Sequence, residues 1–315
     1  MAATAARLLS ALRSPLSALR FPNMSRFAAL ALTLLVALAP TAGLARDSHI
    51  LWTVKGQHNT VYLLGSVHVL RPQDAGLPAV MERAYQESER LVMEIDLDDP
   101  GIADPQAMLE DVQIMAMLPE GQSLRQVLGS DYDRSNARAQ QAGLDLALVD
   151  RFAPWFVAIT LLELELGKRG FAPEYGIEQT LAARAGRDHK AIEGLETVAQ
   201  QLGVFAGMPL PMQKRFLMMT LQESQELDQE LDALIRAWRA GDAGALARLL
   251  TSEFDEFPDL YRRLTVDRNR AWVAQLTELL DDRDDYLVVV GALHLVGPDS
   301  VVELLEKRGF KVVQQ

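Results

Sequence analysis

Two of the chain's five histidines sit in matching surroundings. Gly65-Ser66-Val67-His68 closes one apolar run, and Gly291-Ala292-Leu293-His294 closes another. In each, a glycine ends a strand-like segment and the imidazole follows three residues later. Glycine there lets the backbone turn sharply or lets a ligand come close. Open α/β sheets form their sites just beyond the carboxyl ends of strands, so if the two strands are neighbours, both rings converge on one cleft. Glu94 is a third candidate, inside Leu91-Val92-Met93-Glu94-Ile95-Asp96. An unpaired carboxylate in such a run is costly to bury. It calls for a metal, a histidine or an arginine, unless the strand lies at an edge and the acid faces water. Strand alternation would put Asp96 on the same side as Glu94.

Two imidazoles and one carboxylate are a ligand set of hydrolytic metal centres. There the metal lowers the pKa of a bound water and polarises a carbonyl. The same residues can act without metal, an imidazole serving as general base and the carboxylate orienting it. Residue types leave both routes open. A lone histidine is more often a packed or loop-capping residue, and it is the matched pair that argues for more.

The elements around these residues alternate at both ends of the chain. Ile50–Val54 and Thr60–Gly65 flank a Gly/Asn turn, a hairpin pattern. A helix is expected from about Pro78 to Arg90, then a buried strand over 91–96. Near the C-terminus a helix over Arg262–Leu280 precedes the nearly continuous apolar run 286–291, the mark of a central strand. A helix over Pro298–Arg308 and a last strand at 310–313 follow, a strand–helix–strand unit that implies a parallel pair. From about 104 to 264 the pattern is mostly helical, with a strand candidate at Lys190–Ile192. The expectation is an α/β (α+β) fold: a mixed sheet built from both termini, with a long helical insertion over about 104–264.

Residues 1–45 read as a leader. A 13-residue apolar run, Phe27–Ala39, follows Arg26, Pro40 breaks it, and Gly43-Leu44-Ala45 fits a small-x-small cleavage site. Met24 is then the expected start, and residues 46–315 form the mature domain, exported and periplasmic. An uncleaved N-terminal anchor is the other reading. No later segment is apolar over a bilayer-spanning length. The leader carries four arginines and no acid, so its removal takes the net charge from −12 to −16. Such a body is a poor partner for a phosphate backbone. Without cysteine there is no thiol nucleophile, disulfide or thiolate metal site. Gly-x-x-x-x-Gly-Lys-Ser/Thr, Gly-x-Ser-x-Gly and His-Glu-x-x-His are absent as well.

These segments together resemble the TraB/PrgY/GumN family, to which the animal Tiki proteins are related. The resemblance rests on Leu51-Trp52 through His68, Leu91–Asp96, Gly176-Ile177-Glu178 with Leu181, Ala185 and Lys190, Leu195-Glu196-Thr197 with Gln201, Asp267-Arg268-Asn269-Arg270, and Val289–Leu295. It spans nearly all of the expected mature chain. The resemblance implies a fold similar to the erythromycin-esterase/ChaN-like group. It also implies a site of His68, Glu94 and His294, with these three as ligands of a divalent metal such as Mn or Co. Arg268 is carried over as a further site residue, able to bind a carboxylate or an oxyanion, against the alternative of a helix-surface ion pair. Glu178 and Glu196 either support the site residues from behind or are purely structural, and the structural reading is preferred. The function implied is an exported, metal-dependent hydrolase cutting peptide bonds in a peptide or protein substrate. Two other readings stand beside it: a periplasmic protein that binds a peptide or other ligand without catalysis, and a metal-free esterase-like enzyme.

Overall fold

The computed structural model describes residues 48–97, 112, 114–222, 227–254 and 257–315. The expected leader, its cleavage site and Met24 lie outside the described residues. The chain divides into two compact units.

The larger unit, within 29–98, 171–197 and 227–315, is built on a six-stranded sheet. Its strands are β1 (Leu51–Lys55), β2 (Thr60–Ser66), β3 (Arg90–Met93), β4 (Ile192–Gly194), β5 (Tyr286–Gly291) and β6 (Val312–Gln314), in the order β4-β3-β5-β2-β1-β6. The expected hairpin forms, β1 against β2 with Lys55 opposite Thr60. β5 is buried at all six residues and is flanked by parallel β2 and β3, as its unbroken apolar run requires. This is a mixed α/β fold, and its sheet draws five strands from the ends of the chain and one, β4, from the middle.

Two expectations need correction. β5 and β6 are not a hydrogen-bonded parallel pair, because β6 crosses to the sheet edge and pairs antiparallel with β1. Both flanks of β5 are already taken. The short, part-exposed β6, with Val313 43% exposed, suits an edge better than a core position. Glu94 is also not within a strand: β3 ends at Met93, and Glu94 opens the loop beyond it. Strand alternation therefore does not set its direction.

Helices connect the parallel strands: Ala79–Glu87 before β3, Ile177–Asp188 before β4, Asp267–Leu279 before β5 and Val301–Lys307 before β6. The helix Asp267–Leu279 buries Asn269, Trp272, Val273 and Leu276, one stripe at helical spacing. It is entered through a π-turn, Arg262–Val266, in which Asp267 N–H reaches the Arg262 carbonyl. The helix Leu227–Arg239 sends Trp238 Nε1 to the Gly65 carbonyl at 2.6 Å, fixing the end of β2.

The smaller unit, within 99–170 and 198–226, is helical where described. Pro154–Lys168 packs on Leu210–Thr220. Trp155, Phe205 and Phe216 stack in sequence, with centroids 5.8 and 6.3 Å apart. Among the described residues no helix is long and apolar enough to cross a membrane.

Candidate functional site

Register brings the candidate residues to one rim. In the ladder Ser66 lies opposite Gly291, and Met93 opposite Val289. The carboxyl ends of β2, β3 and β5 are thus nearly level, and His68, Glu94 and His294 all emerge there, His294 at the end of the 3-10 turn Ala292–His294. Gly291 sets the closest approach. A Cβ on it would come 3.1 Å from His68 Nε2 and 3.2 Å from Glu94 Oε1. Glycine leaves room for ring and carboxylate to face each other across the end of β5.

His68 is placed by the start of the helix Ile177–Asp188. Ile177 N–H donates to the Val67 carbonyl at 3.2 Å. A Cβ on Gly176 would lie 2.1 Å from the His68 carbonyl oxygen, so only glycine permits this backbone contact. Docked there, the first helical turn delivers Glu178, whose Oε1 is 2.6 Å from His68 Nδ1 and also accepts from the Ser66 hydroxyl. Its other oxygen, Oε2, is buried without a hydrogen-bond partner. The Glu178 carboxylate raises the His68 pKa to about 9, Glu94 adding to the effect. His68 itself is exposed, its side chain 64% accessible.

Glu94 is buried in a different set of bonds. Beyond the β3–β4 ladder, Leu195 N–H reaches the Met93 carbonyl and Glu196 N–H the Glu94 carbonyl, each at 2.9 Å. This brings the two glutamates side by side under Arg268. Each of the five guanidinium N–H groups of Arg268 has an acceptor. Nε donates to Glu196 Oε2 at 3.1 Å, Nη2 to Glu94 Oε2 and Glu196 Oε1 at 2.5 Å each, and Nη1 to the Leu264 carbonyl and His294 Nε2 at 3.0 Å each. Glu94 Oε1 accepts from Gly291 N–H at 2.8 Å. Burial opposes charge on Glu94, yet its carboxyl is held down at about 2. We attribute this to the protonated His68, to Arg268 and to the Gly291 N–H, since His294 carries no charge at neutral pH.

The neutrality of His294 follows from its neighbours. Asn269, fully buried, donates its amide N–H to the Asp299 carbonyl at 2.8 Å, which leaves Oδ1 to accept from His294 Nδ1–H at 2.6 Å. The Nε2 lone pair then receives Arg268. Burial pushes the pKa down to about 3, and Arg268 acts in the same direction. The Trp272 ring packs 4.5 Å from the imidazole and 4.6 Å from the guanidinium.

All four expected site residues thus meet at one rim, with different availability. His68 keeps an exposed side chain with Nε2 beside Gly291, whereas His294 and Arg268 are internally satisfied. Arg268 lies in a buried ionic network and not in a helix-surface ion pair. Residue types alone undervalued three members. Glu178 and Glu196, read as structural, touch His68 and Arg268 directly, and Asn269 had no role beyond its motif. One signal was present for Asn269: a polar residue on the same helical stripe as Trp272, Val273 and Leu276.

The TraB/PrgY/gumN family model matches residues 50–314. The chain belongs to this family. Relatives in it include the uncharacterised protein YbaP of Escherichia coli, 24% identical over 82% of this chain and 94% of its own length. A protein of Treponema pallidum is 22% identical over 84% and 82%. The metalloprotease TIKI2 of Xenopus tropicalis is 24% identical over 83% of this chain, which spans 59% of that relative. The human metalloprotease TIKI1 is 23% identical over 83% and 61%. No solved structure matches.

The TIKI relatives are named metalloproteases, and the metal ligands expected from the sequence here are His68, Glu94 and His294. The arrangement does not fit one. His294 Nε2 lies 3.9 Å from Glu94 Oε1, and its lone pair is taken by Arg268. The same guanidinium binds Glu94 Oε2. Among the described residues no group of three or more His, Asp or Glu is placed to hold a metal ion. As placed, Arg268 stands between the carboxylate and one of the imidazoles of the expected metal set.

Proposed function

We propose that this family member is an exported hydrolase in which His68 is the general base. The observation that carries the reading is the His68–Glu178 pair: Nδ1 is held at 2.6 Å by a carboxylate, the side chain is exposed, and Nε2 lies across Gly291 from Glu94. A histidine so held has a fixed ring orientation and a stabilised imidazolium, the two features a base needs to take a proton from water. Nε2 accepts that proton as the water oxygen attacks the substrate carbonyl, then returns it to the leaving group. Glu178 stabilises the cation through Nδ1–H, and the ionised Glu94 stabilises it through space. Arg268, Glu196, Asn269 and His294 hold Glu94 in place, and no step is assigned to a metal.

The names of the TIKI relatives favour a peptide bond in a peptide or protein substrate. The leader pattern favours the periplasm. Both are tested by expressing the full chain with a C-terminal tag. Export predicts a mature N-terminus at Arg46 in the periplasmic fraction. That mature protein should cleave members of a quenched fluorescent peptide library, and His68→Ala should abolish cleavage while keeping the wild-type circular dichroism spectrum. Peptide binding without turnover, unchanged in His68→Ala, would instead favour a binding protein. Cleavage of esters only would favour the esterase reading.

A further inference from the structure

We propose that Arg268 is itself the resident cation of this site, occupying the coordination space of Glu94, Glu196 and His294 and excluding a divalent ion from them. The inference concerns what fills the site and stands apart from the reaction proposed above.

The geometry is that of a cation cage with a guanidinium inside it. Glu94 offers one oxygen, Glu196 two and His294 a ring nitrogen, and all four atoms converge on Arg268 within 2.5–3.1 Å. Two carboxylates and one neutral imidazole are the donors a divalent ion would take. The network is also prepared as a metal site would be. Asn269 holds His294 in the tautomer whose Nε2 is bare, the orienting contact that metal-bound histidines usually have. Arg268 is held from the turn that leads into its helix too: Nη1 donates to the carbonyl of Leu264, within the π-turn Arg262–Val266. The Trp272 face covers the guanidinium 4.6 Å from its carbon. With every N–H matched and the side chain 12% exposed, displacing Arg268 would bury an unpaired guanidinium or force helix rearrangement. An incoming ion would have to supply that cost.

The consequence is an exchange: removing the guanidinium leaves a vacancy with two carboxylates and an imidazole around it. The test uses mature wild type, Arg268→Ala, and Arg268→Ala combined with Glu94→Gln, each stripped with chelator, desalted and titrated with Mn(II) or Zn(II) by calorimetry and thermal melting. The expected result is no stoichiometric uptake at this site by wild type. Arg268→Ala should gain one equivalent and a Tm that climbs with ion concentration, and the double variant should lose both. One equivalent bound by wild type and lost in Glu94→Gln or His294→Ala would overturn the proposal. So would a folded Arg268→Ala that binds no ion. If Arg268→Ala does not fold even with metal present, the wild-type titration decides alone: uptake dependent on Glu94 or His294 refutes the idea, and its absence supports it. Peptide cleavage is not read in any arm, so failure of the hydrolase reading leaves this result intact.

Discussion

His68 Nδ1 and Glu178 Oε1 lie 2.6 Å apart, joining a loop after β2 to a helix more than a hundred residues later. That contact orients His68, the exposed one of the two site imidazoles. It also sets the pH behaviour of the site. A base must be unprotonated to act, so kcat/KM should rise with pH and level off near the raised pKa of about 9. Glu178→Gln removes the charge that raises it. The rising limb should move to lower pH and the plateau should fall, by about 10²-fold or more if the pair supplies general-base catalysis. A pH profile of peptide cleavage reads both effects. An unmoved limb in Glu178→Gln would count against His68 as base.

Gly291→Ala tests the closeness of ring and carboxylate. Gly291 has an ordinary φ of −51°, so the backbone tolerates alanine. The new methyl, 3.1 Å from His68 Nε2 and 3.2 Å from Glu94 Oε1, must push one of them aside. Overpacking of this kind costs about 1–3 kcal/mol. The expected outcome is a folded protein with a modestly lower Tm and a disproportionate loss of kcat. Equal losses of stability and activity across a temperature series would argue for a packing role alone.

Gly176→Ala should act differently, because its methyl would meet the His68 carbonyl oxygen at 2.1 Å, and backbone cannot swing away as a side chain can. The docking of the His68 loop on the helix start should fail. The expected signature is faster proteolysis at the loop after β2 and loss of activity, whereas Gly186→Ala, with open space around it, should match wild type.

His294 predicts acid sensitivity. Its folded pKa, about 3, is below the ordinary 6.5, so between these values the unfolded chain binds a proton that the folded chain does not. Stability should therefore fall as pH drops below about 6.5, with a slope approaching 1.4 kcal/mol per pH unit for this one group. His294→Gln should flatten the decline between about pH 6.5 and 4.5. At lower pH the depressed Glu94 adds its own loss, in wild type and variant alike, as pH falls towards about 2. Tm measured across pH 2–8 separates the two ranges.

Local pattern was enough for most of the sheet. The hairpin, the fully apolar β5 ending at Gly291 and β2 ending one residue past Gly65 are visible because burial on both faces and strand termination leave marks in neighbouring residues. The same marks gave His68 and His294 a shared rim only if their strands were neighbours, and the pairing of β2 with β5 supplies that condition. The edge placement of β6 did not follow from such marks, since a strand–helix–strand pattern fixes direction but not which neighbour is already occupied.

By itself, the sequence determined the family and the α/β class and singled out the histidines, glutamate and arginine as candidates, because these depend on residue type, periodicity and order along the chain. Tertiary structure alone decided what each can do. Whether an imidazole is an outward base or a locked acceptor depends on which carboxylate, amide or guanidinium lies within 3 Å, and those partners come from segments 25 to more than 100 residues away. His68 and His294 share a motif and differ in chemistry because Glu178 faces one and Arg268 the other.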